Sequence, residues 1–252
     1  MGSKESNWGN IEIPVSRILK HEIVAVPYFI ASSQTFVNEH IVELGSVDSS
    51  EIYYSINNDV YKKYIEPITI NEQSIISSYA KRGNKKSKIV SSEYFLRDDT
   101  KKIKILSTYA NQYAAAGDKT LIDQLRGGNN YRTGNWQGYR EDVNVIIDLS
   151  ETKKINSISL GCHQDVRSWI FFPKQVEYWT SNDDINYEYQ GKVLANFSDK
   201  IEGSFHKDFT LKLKNLKTRY IKIKAENYGV CPEWHLGAGG KTWVFVDEIT
   251  IK

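Results

Sequence analysis

Hydrophobic and polar residues alternate with a period of two along most of the chain, and helical periodicity is hard to find. In the first part, Ile52, Tyr54 and Ile56 alternate with other residues, and the polar run Asn57-Asn58-Asp59 then favours a turn. Further short strands are predicted at 68–70 and 76–80. The basic run at 81–88 is interpreted as a solvated hairpin tip rather than a site for anionic partners.

The second part of the chain repeats this pattern with longer loops between the strands. A polar connector at residues 97–103 separates the two parts, and we predict the domain boundary there. Many strands joined by turn-rich loops favour a β-sandwich or jelly roll. The predicted strands of this part lie at 143–147, 155–160, 176–179, 209–213, 220–225 and 244–251.

Composition excludes several classes of protein. The chain has 252 residues, 40% hydrophobic and 25% charged, which is an ordinary globular balance. Its apolar runs are far shorter than the roughly 20 residues that cross a bilayer, so no transmembrane segment is expected. A formal net charge of +2 is too small to attract nucleic acid without sequence-specific contacts, and no nucleic-acid partner is expected.

The ends and the cysteines of the sequence give less information. Residues 1–20 are interpreted as a leader or linker, because the segment lacks the apolar core of a signal peptide. Cys162 and Cys231 match no zinc-binding pattern. They could form a disulfide with each other or remain as buried thiols.

The distribution of aromatic residues is the most informative feature of the composition. Phe, Trp and Tyr make up 12% of the chain, and five of the six tryptophans lie in the second part. Trp179 lies in an alternating strand and is predicted to be a core residue. Trp136 and Trp234 lie among glycine and polar residues, which is typical of loops. Such rings either fill the core from above or form a platform on which an apolar ligand face stacks.

The second part resembles a discoidin (coagulation factor 5/8 type C) domain over residues 102–252. This resemblance implies a galactose-binding-domain-like β-sandwich jelly roll. It is carried by these runs in order: Ala110 to Gly117, Leu121-Ile-Asp123, Tyr131 to Tyr139, Val145 to Leu149, Ser168 to Pro173, Arg219 to Lys224, Cys231-Pro-Glu-Trp-His235 and Phe245 to Ile249.

The first part, residues 21–98, resembles the immunoglobulin-like chitobiase/β-hexosaminidase C-terminal module. The pair occurs in this order at the C-terminus of Bacteroidetes β-N-acetylhexosaminidases, a type of glycoside hydrolase. The all-β prediction is therefore an immunoglobulin-like sandwich followed by the discoidin sandwich. The motifs of the first part are Pro27-Tyr-Phe-Ile30, Thr35-Phe36, Val42-Glu-Leu44, Ile52 to Ser55, Tyr64 to Ile68 and Ser87.

The discoidin resemblance also implies a structural calcium ion. Its side-chain ligands map to Asp123, Thr133 and Glu248, and backbone oxygens near Gly128 and Asp247 would complete the shell. Calcium is a hard cation that takes about 6 to 8 oxygen ligands. The alternative is that Asp123 caps a turn and that Glu248 forms a salt bridge at a strand edge.

Sugar binding is the function that the loop aromatic residues favour, because a pyranose stacks on a ring and hydrogen-bonds to nearby polar side chains. The alternative gives the same rings a packing role, in which they lock the loops onto the sandwich. The predicted carbohydrate-binding residues are Trp136, Tyr139, Trp169, Trp234, His235, Arg132, Arg167 and Glu233, with Gln164 nearby.

No catalytic motif accompanies these residues. The chain's Asp247-Glu248 pair lies in the last predicted strand and lacks the His-x-Gly-Gly-Asp-Glu setting of hexosaminidases. His235 and Glu233 have no nucleophile or metal motif beside them. We therefore expect this chain not to be an enzyme.

The sequence predicts a non-catalytic carbohydrate-binding region that targets a secreted bacterial glycoside hydrolase to glycans of N-acetylhexosamine or galactose type. The expected location is extracellular, periplasmic or on the outer-membrane surface, and the expected partners are glycans and the parent enzyme's catalytic domain. Two alternatives remain at this point. The region could be a structural brace on the catalytic domain, or an adhesion module whose loops contact protein or lipid.

Overall fold

The computed structural model describes residues 23–252, which divide into two compact units. The first ends at Leu96 and the second spans Arg97–Lys252. The predicted leader or linker at residues 1–20 lies outside the described residues. No helix in the described part of the chain is long and apolar enough to cross a membrane.

The first unit consists of two β-sheets around one core. Its strands are β1 (Tyr28–Ile30), β2 (Thr35–Phe36), β3 (His40–Gly45), β4 (Glu51–Ile56), β5 (Lys62–Lys63), β6 (Ile68–Ile70), β7 (Ser74–Arg82), β8 (Lys85–Lys86) and β9 (Val90–Leu96). Strands β1, β3 and β6 form one sheet, and the other has the order β2-β9-β7-β4-β5, with β8 paired to β7. The immunoglobulin-like assignment of this unit stays a prediction.

The core of the first unit forms from residues that alternate along these strands. Val42 and Leu44 of β3 are buried, and the exposed Glu43 lies between them. Ile52 and Tyr54 of β4 join the same hydrophobic cluster from the other sheet. The predicted period-two pattern of this segment is therefore confirmed, because successive strand residues point to opposite faces.

The second unit is also built from strands, with three short 3-10 helices. Its strands are β10 (Lys102–Ile105), β11 (Gln137–Tyr139), β12 (Val143–Gln164), β13 (Gln175–Ser181), β14 (Glu188–Leu194), β15 (Phe205–Ala225) and β16 (Val244–Ile251). The 3-10 helices are Asn111–Tyr113, Gly117–Ile122 and Val166–Ser168.

Two long strands shape this unit. The sheet order is β11-β16-β12-β15-β13-β14, and β10 pairs with β12. The β12–β15 ladder shifts register between Asp148 and Lys153. Before this irregularity β12 pairs with β10, and after it β12 pairs with β16. The two halves of β12 and β15 thus contribute to two layers, and the all-β sandwich predicted from the sequence is confirmed.

The main core lies between these layers. Val143, Val145, Ile147 and Leu149 of β12 are fully buried, and the residues between them are half-buried. Side chains from β13, β15 and β16 complete the same cluster. The cluster removes many aliphatic and aromatic side chains from water, which is the dominant favourable contribution to folding.

The prediction that Trp179 is a core residue is wrong. Val176 and Tyr178 of β13 are the buried residues, so the neighbouring Trp179 points to the opposite face and is half-buried. Its ring lies 5.5 Å from the Tyr189 ring, and the Lys222 Nζ is 5.7 Å from its centroid. The strand was located correctly, but the face that Trp179 occupies was not.

Candidate functional site

The loops of the second unit gather at one end of its sandwich. Register places the first residue of β12, Val143, opposite Ala225 at the end of β15. The last residue of β12, Gln164, lies opposite Phe205 at the start of β15. Hydrogen bonds bring the segments that flank these strands together: the Asn227 N–H donates to Asp142 at 2.9 Å, and the Lys174 N–H donates to the Glu226 carbonyl at 2.9 Å. The Gln164 side chain donates to the Ser198 carbonyl at 2.9 Å. We call this end of the sandwich the loop end; it carries the segments 140–142, 165–174, 195–204 and 226–243.

A cavity of about 560 Å³ opens at the loop end. Its lining residues come from the segments before and after β12 and β15, and they combine polar side chains with the apolar Leu106 and Val230. The polar lining residues are Ser107, Arg140, Glu141, Asp142, Asn144, Asn227 and Lys241.

Hydrogen bonds fix the wall of this cavity. The Asn227 Oδ1 accepts hydrogen bonds from the Gly229 backbone N–H at 2.7 Å and from the Thr242 hydroxyl at 2.7 Å. Asp142 accepts a hydrogen bond from the Asn227 backbone N–H at 2.9 Å. The Glu141 Oε1 accepts one from the Thr108 N–H at 2.6 Å. The wall is therefore arranged before any ligand arrives.

Two cations of the cavity have no carboxylate partner among residues 23–252. Asp142 forms its salt bridge with Lys224, at 3.1 Å, whereas no salt bridge reaches Arg140 or Lys241. The Arg140 guanidinium carbon lies 4.4 Å from the centre of the Trp243 ring. Stacking on the ring holds Arg140 in place, so its N–H groups can donate to a ligand.

Two of the predicted sugar-binding rings are buried. Trp136 is 1% exposed, its Nε1 donates to the Gly128 carbonyl at 2.9 Å, and its ring lies 4.9 Å from the His163 ring. Tyr139 is fully buried, and its hydroxyl donates to the Gln137 Oε1 at 2.6 Å. The expectation that these rings are open to a sugar is corrected, because almost none of their surface is exposed to solvent.

Trp169 and His235 hold the loops together. Trp169 adopts a left-handed backbone conformation with φ of 65°. A Cβ added to Gly237 or Gly240 would lie 2.3 or 2.4 Å from the Trp169 ring, so glycine is required at both positions. The His235 Nδ1 accepts from the Gly237 N–H at 2.9 Å, and its Nε2 lies 2.6 Å from the Val166 carbonyl oxygen. Because Nδ1 is the acceptor in this arrangement, Nε2 is the nitrogen that donates to the Val166 carbonyl.

The remaining predicted sugar-binding residues are accessible but scattered. Trp234 is 42% exposed, and Glu233 beside it is also exposed. Arg167 is paired with Glu202. The Arg132 guanidinium carbon lies 4.3 Å from the centre of the Tyr131 ring. Gln164, which sequence analysis placed nearby, is buried and donates to the Ser198 carbonyl at 2.9 Å.

The structure brings two of the three predicted calcium ligands into a buried acidic group. Glu248 accepts a hydrogen bond from the Gln124 N–H at 2.9 Å, and Asp123 accepts one from the Leu125 N–H at 2.8 Å. The Thr133 hydroxyl is exposed and donates to the Asn130 carbonyl at 2.7 Å. Within the described range, no three His, Cys, Asp or Glu side chains are arranged to hold a metal ion.

Burial controls the protonation of this acidic group. It raises the pKa of Asp123 and of Asp247 to about 6 each. The pKa of Glu248 rises to about 8, mainly through burial, and the charges of Asp123 and Asp247 contribute. The Arg126 guanidinium beside Asp247 opposes the increase in the pKa of that residue. A divalent cation would stabilise the charged forms of Asp123 and Glu248, and carboxylate oxygens are hard donors of the type that calcium prefers.

Both cysteines are free and buried. Cys162 belongs to the main core, and Cys231 packs with Val166 and Phe171 in a smaller cluster. Of the two alternatives left by the sequence, the structure has the buried thiols. Burial raises the pKa of both thiols, which disfavours the reactive thiolate.

Sequence analysis missed the residues that line the cavity at the loop end. Arg140, Glu141 and Asp142 form a charged run between two strands, and Lys241 follows a glycine pair. The charged run is the signal that could have identified them. A charged run is more often a solvated surface than a site, so the sequence does not distinguish the two.

Several solved structures are similar to this chain. CpGH89CBM32-6 of Clostridium perfringens has 16% identity and a TM-score of 0.36, covering 62% of this chain and 94% of that chain. CpGH89CBM32-5 of the same organism, in complex with GalNAc-β-1,3-galactose, has 17% identity and a TM-score of 0.41, covering 61% and 95%. The C-terminal domain of a chitobiase from Bacteroides fragilis has 21% identity and a TM-score of 0.34, covering 60% and 92%.

Curated proteins and a family profile complete the comparison. An uncharacterized ATP-binding protein of Methanocaldococcus jannaschii is 30% identical over 119 residues, 42% of this chain and 33% of that protein. The chain thus spans about a third of the length of the curated relatives that it matches. The profile of the F5/8 type C domain matches residues 100–245, more than half of the chain. The chain therefore belongs to the F5/8 type C domain family.

Proposed function

We propose that residues 97–252 form a non-catalytic module that binds glycans at the loop end. The observation that carries this proposal is the cavity of about 560 Å³, where Arg140 and Lys241 lie without a carboxylate partner among the described residues. Small-molecule sites typically measure about 300–1,000 Å³ and combine apolar walls with a few convergent polar groups. The cavity is large enough for one or two sugar rings.

The lining residues match the chemistry of a sugar. Arg140 and Lys241 supply N–H donors, and the Asn144 amide supplies both a donor and an acceptor. The Leu106 and Val230 side chains offer apolar surface to the C–H face of a pyranose. A neutral polyol needs this mixture of donors, acceptors and apolar contact.

The first experiment compares glycan binding by the wild type and two arginine variants. We expect the wild type to bind neutral galactose- or N-acetylhexosamine-type glycans on an array, with GalNAc-β-1,3-galactose as one probe. Arg140→Ala should weaken the measured Kd about tenfold, since it removes charge-assisted hydrogen bonds. Arg167→Ala is the control, because its guanidinium is paired with Glu202 and does not line the cavity. No binding of any neutral glycan by the wild type would contradict the proposal.

The parent protein in this proposal is an exported bacterial glycoside hydrolase of β-N-acetylhexosaminidase type. Holding its catalytic domain beside a polymeric substrate raises the effective concentration, so a weak single site is sufficient. The reading frame upstream of this sequence should encode that catalytic domain. Fusing the domain to residues 23–252 should increase its activity on polymeric but not on soluble substrate.

The same proposal includes a structural calcium ion at Asp123 and Glu248. Calcium, when bound, would neutralise these buried carboxylates and brace the loop that follows Asp123. We expect added calcium to raise the melting temperature, and chelator to reverse the increase. Glu248→Gln should remove the response to calcium. An equal melting temperature of the wild type with calcium and with chelator would rule out the bound ion.

One observation favours a second candidate, the structural brace. Leu236 is fully exposed, and Trp234 and Val230 of the same segment are also exposed. A docked catalytic domain would cover such apolar side chains. In that case the separately expressed catalytic domain should bind residues 23–252 in trans, and Leu236→Asp should abolish the complex while leaving glycan binding intact.

A further inference from the structure

A second cavity, of about 320 Å³, lies between the 3-10 helix Asn111–Tyr113 and the loop that leads into β11. Its inner wall is aromatic. The Tyr113 ring packs edge-on against Tyr131, at 5.9 Å, and against Phe245, at 4.8 Å. The Trp136 ring is fixed from below by its hydrogen bond to the Gly128 carbonyl. The wall is therefore rigid before a ligand binds.

Within the described part of the chain, Arg132 is the only charged side chain that lines this cavity. Most arginines in residues 23–252 have a carboxylate partner, and Arg132 and Arg140 are the two that have none. Stacking on Tyr131 places the Arg132 guanidinium at the cavity without neutralising it. In contrast, the larger cavity contains Glu141 and Asp142 as well as its cations. The smaller cavity is thus the one that carries an uncompensated positive charge.

The mouth of the cavity is formed by small residues in strained or glycine-specific backbone conformations. Ala115 has a φ of 46° and Gly134 has a φ of 98°. A left-handed conformation costs a non-glycine residue roughly 1 kcal/mol or more, yet Ala115 adopts it. With only a methyl group and a hydrogen atom at these positions, the entrance stays open above Tyr113 and Arg132.

We propose that this second cavity binds an acidic pyranose, a sugar ring that carries a carboxylate. Arg132 would form paired N–H to oxygen hydrogen bonds with the carboxylate, the geometry that a guanidinium prefers. Tyr113 would stack on the apolar face of the ring, and the Gln112 amide would bind a hydroxyl group. The volume is at the lower end of small-ligand sites, which suits a single sugar residue. The site is separate from the larger cavity and does not depend on it.

The experiment uses matched acidic and neutral probes by calorimetry on residues 1–252. The probes are short oligomers of galacturonic and of glucuronic acid, each beside its methyl ester, which has the same ring but no charge. We expect the acid to bind about tenfold or more tightly than the ester. Arg132→Ala should remove that difference, whereas Arg132→Lys should retain part of it. The NMR signal of the Trp136 indole N–H should shift with the acid in the wild type.

Arg140→Ala is the matched control, because Arg140 is the other unpaired, ring-stacked arginine and lines the larger cavity. It should leave uronate binding unchanged, and Arg132→Ala should leave neutral glycan binding unchanged. Equal affinity for acid and ester would overturn this inference without affecting the neutral-glycan proposal. So would uronate binding by Arg132→Ala at wild-type strength, provided that its melting temperature matches that of the wild type.

Discussion

His163 lies on β12 with its imidazole fully buried, and neither ring nitrogen has a hydrogen-bond partner among residues 23–252. Its ring lies 4.9 Å from Trp136 and 5.1 Å from His206. Burial, and to a smaller extent the charge of His206, lowers the pKa of His163 from 6.5 to about 4, although Asp165 opposes this shift. His163 is therefore neutral at neutral pH, and protonation would place an unpaired charge behind the aromatic wall of the second cavity.

This lowered pKa predicts that His163 destabilises the fold in acid. Between about pH 6.5 and pH 4 the unfolded chain binds the proton and the folded chain does not, so the contribution of His163 to the free energy of unfolding decreases as the pH falls. The full loss is on the order of 3 kcal/mol.

Urea unfolding at several pH values should show that the wild type loses more stability on acidification than His163→Gln. The comparison with the variant isolates His163 from Asp123, Asp247 and Glu248, whose raised pKa values act in the opposite direction. A difference between the two proteins that does not vary with pH would contradict this prediction.

Trp136 and Trp234 form a natural pair for testing burial. Trp136 is 1% exposed, and Trp234 is 42% exposed. Trp136→Ala should lower the free energy of unfolding by about 3–5 kcal/mol, because it leaves a cavity among aromatic rings. Trp234→Ala should change it by no more than about 0.5 kcal/mol. Equal losses in chemical denaturation would show that the loop tryptophans share one structural role.

At the scale of elements, turns and register set the geometry that the sites use. In the first unit, Asn57 and Asn58 both have positive φ, 51° and 65°, and the Asp59 N–H donates to the Ile56 carbonyl at 2.9 Å. This is a type I′ turn, in which asparagine and glycine are favoured. The polar run therefore forms the predicted turn.

The turn predicts a stabilising substitution. Asn58→Gly should raise the free energy of unfolding of the first unit by about 0.5–1 kcal/mol, because glycine adopts positive φ without a steric penalty. Asn57→Gly should stabilise less or not at all, since the Asn57 Oδ1 accepts a hydrogen bond from the Ile75 N–H at 2.8 Å. Urea unfolding of the two variants distinguishes these effects. A loss of stability in Asn58→Gly would contradict the turn assignment.

At the scale of the whole molecule, the two compact units each have a separate hydrophobic core. The segment 97–252 contains 156 residues, which is within the normal size of an independent domain. We expect this segment alone to fold, with a cooperative unfolding transition and with the glycan affinity of residues 1–252. A segment that binds only when the first unit is attached would show that the first unit contributes to the site.

The sequence alone determined several of the strands, because alternation is a local signal: Ile52 and Tyr54, and Val145 and Ile147, each face a core as their spacing predicts. It did not identify β14, whose residues are mostly exposed or half-buried. The turn at Asn57 and Asn58 could also be predicted, because the preference of asparagine for turns is a local signal. Resemblance of ordered motifs was sufficient for the family of the second unit. None of these three predictions required knowledge of the contacts between residues that are distant in the sequence.

Only the tertiary structure decided which side chains are available to a ligand. Trp136 and Trp234 have similar loop surroundings in the sequence, yet one is buried beneath the segment that contains Gly127 and Gly128 and the other is open. Arg132 and Arg140 differ from other arginines only because no carboxylate of the described chain folds beside them. Exposure and charge pairing depend on contacts between distant segments, and no local pattern encodes those contacts.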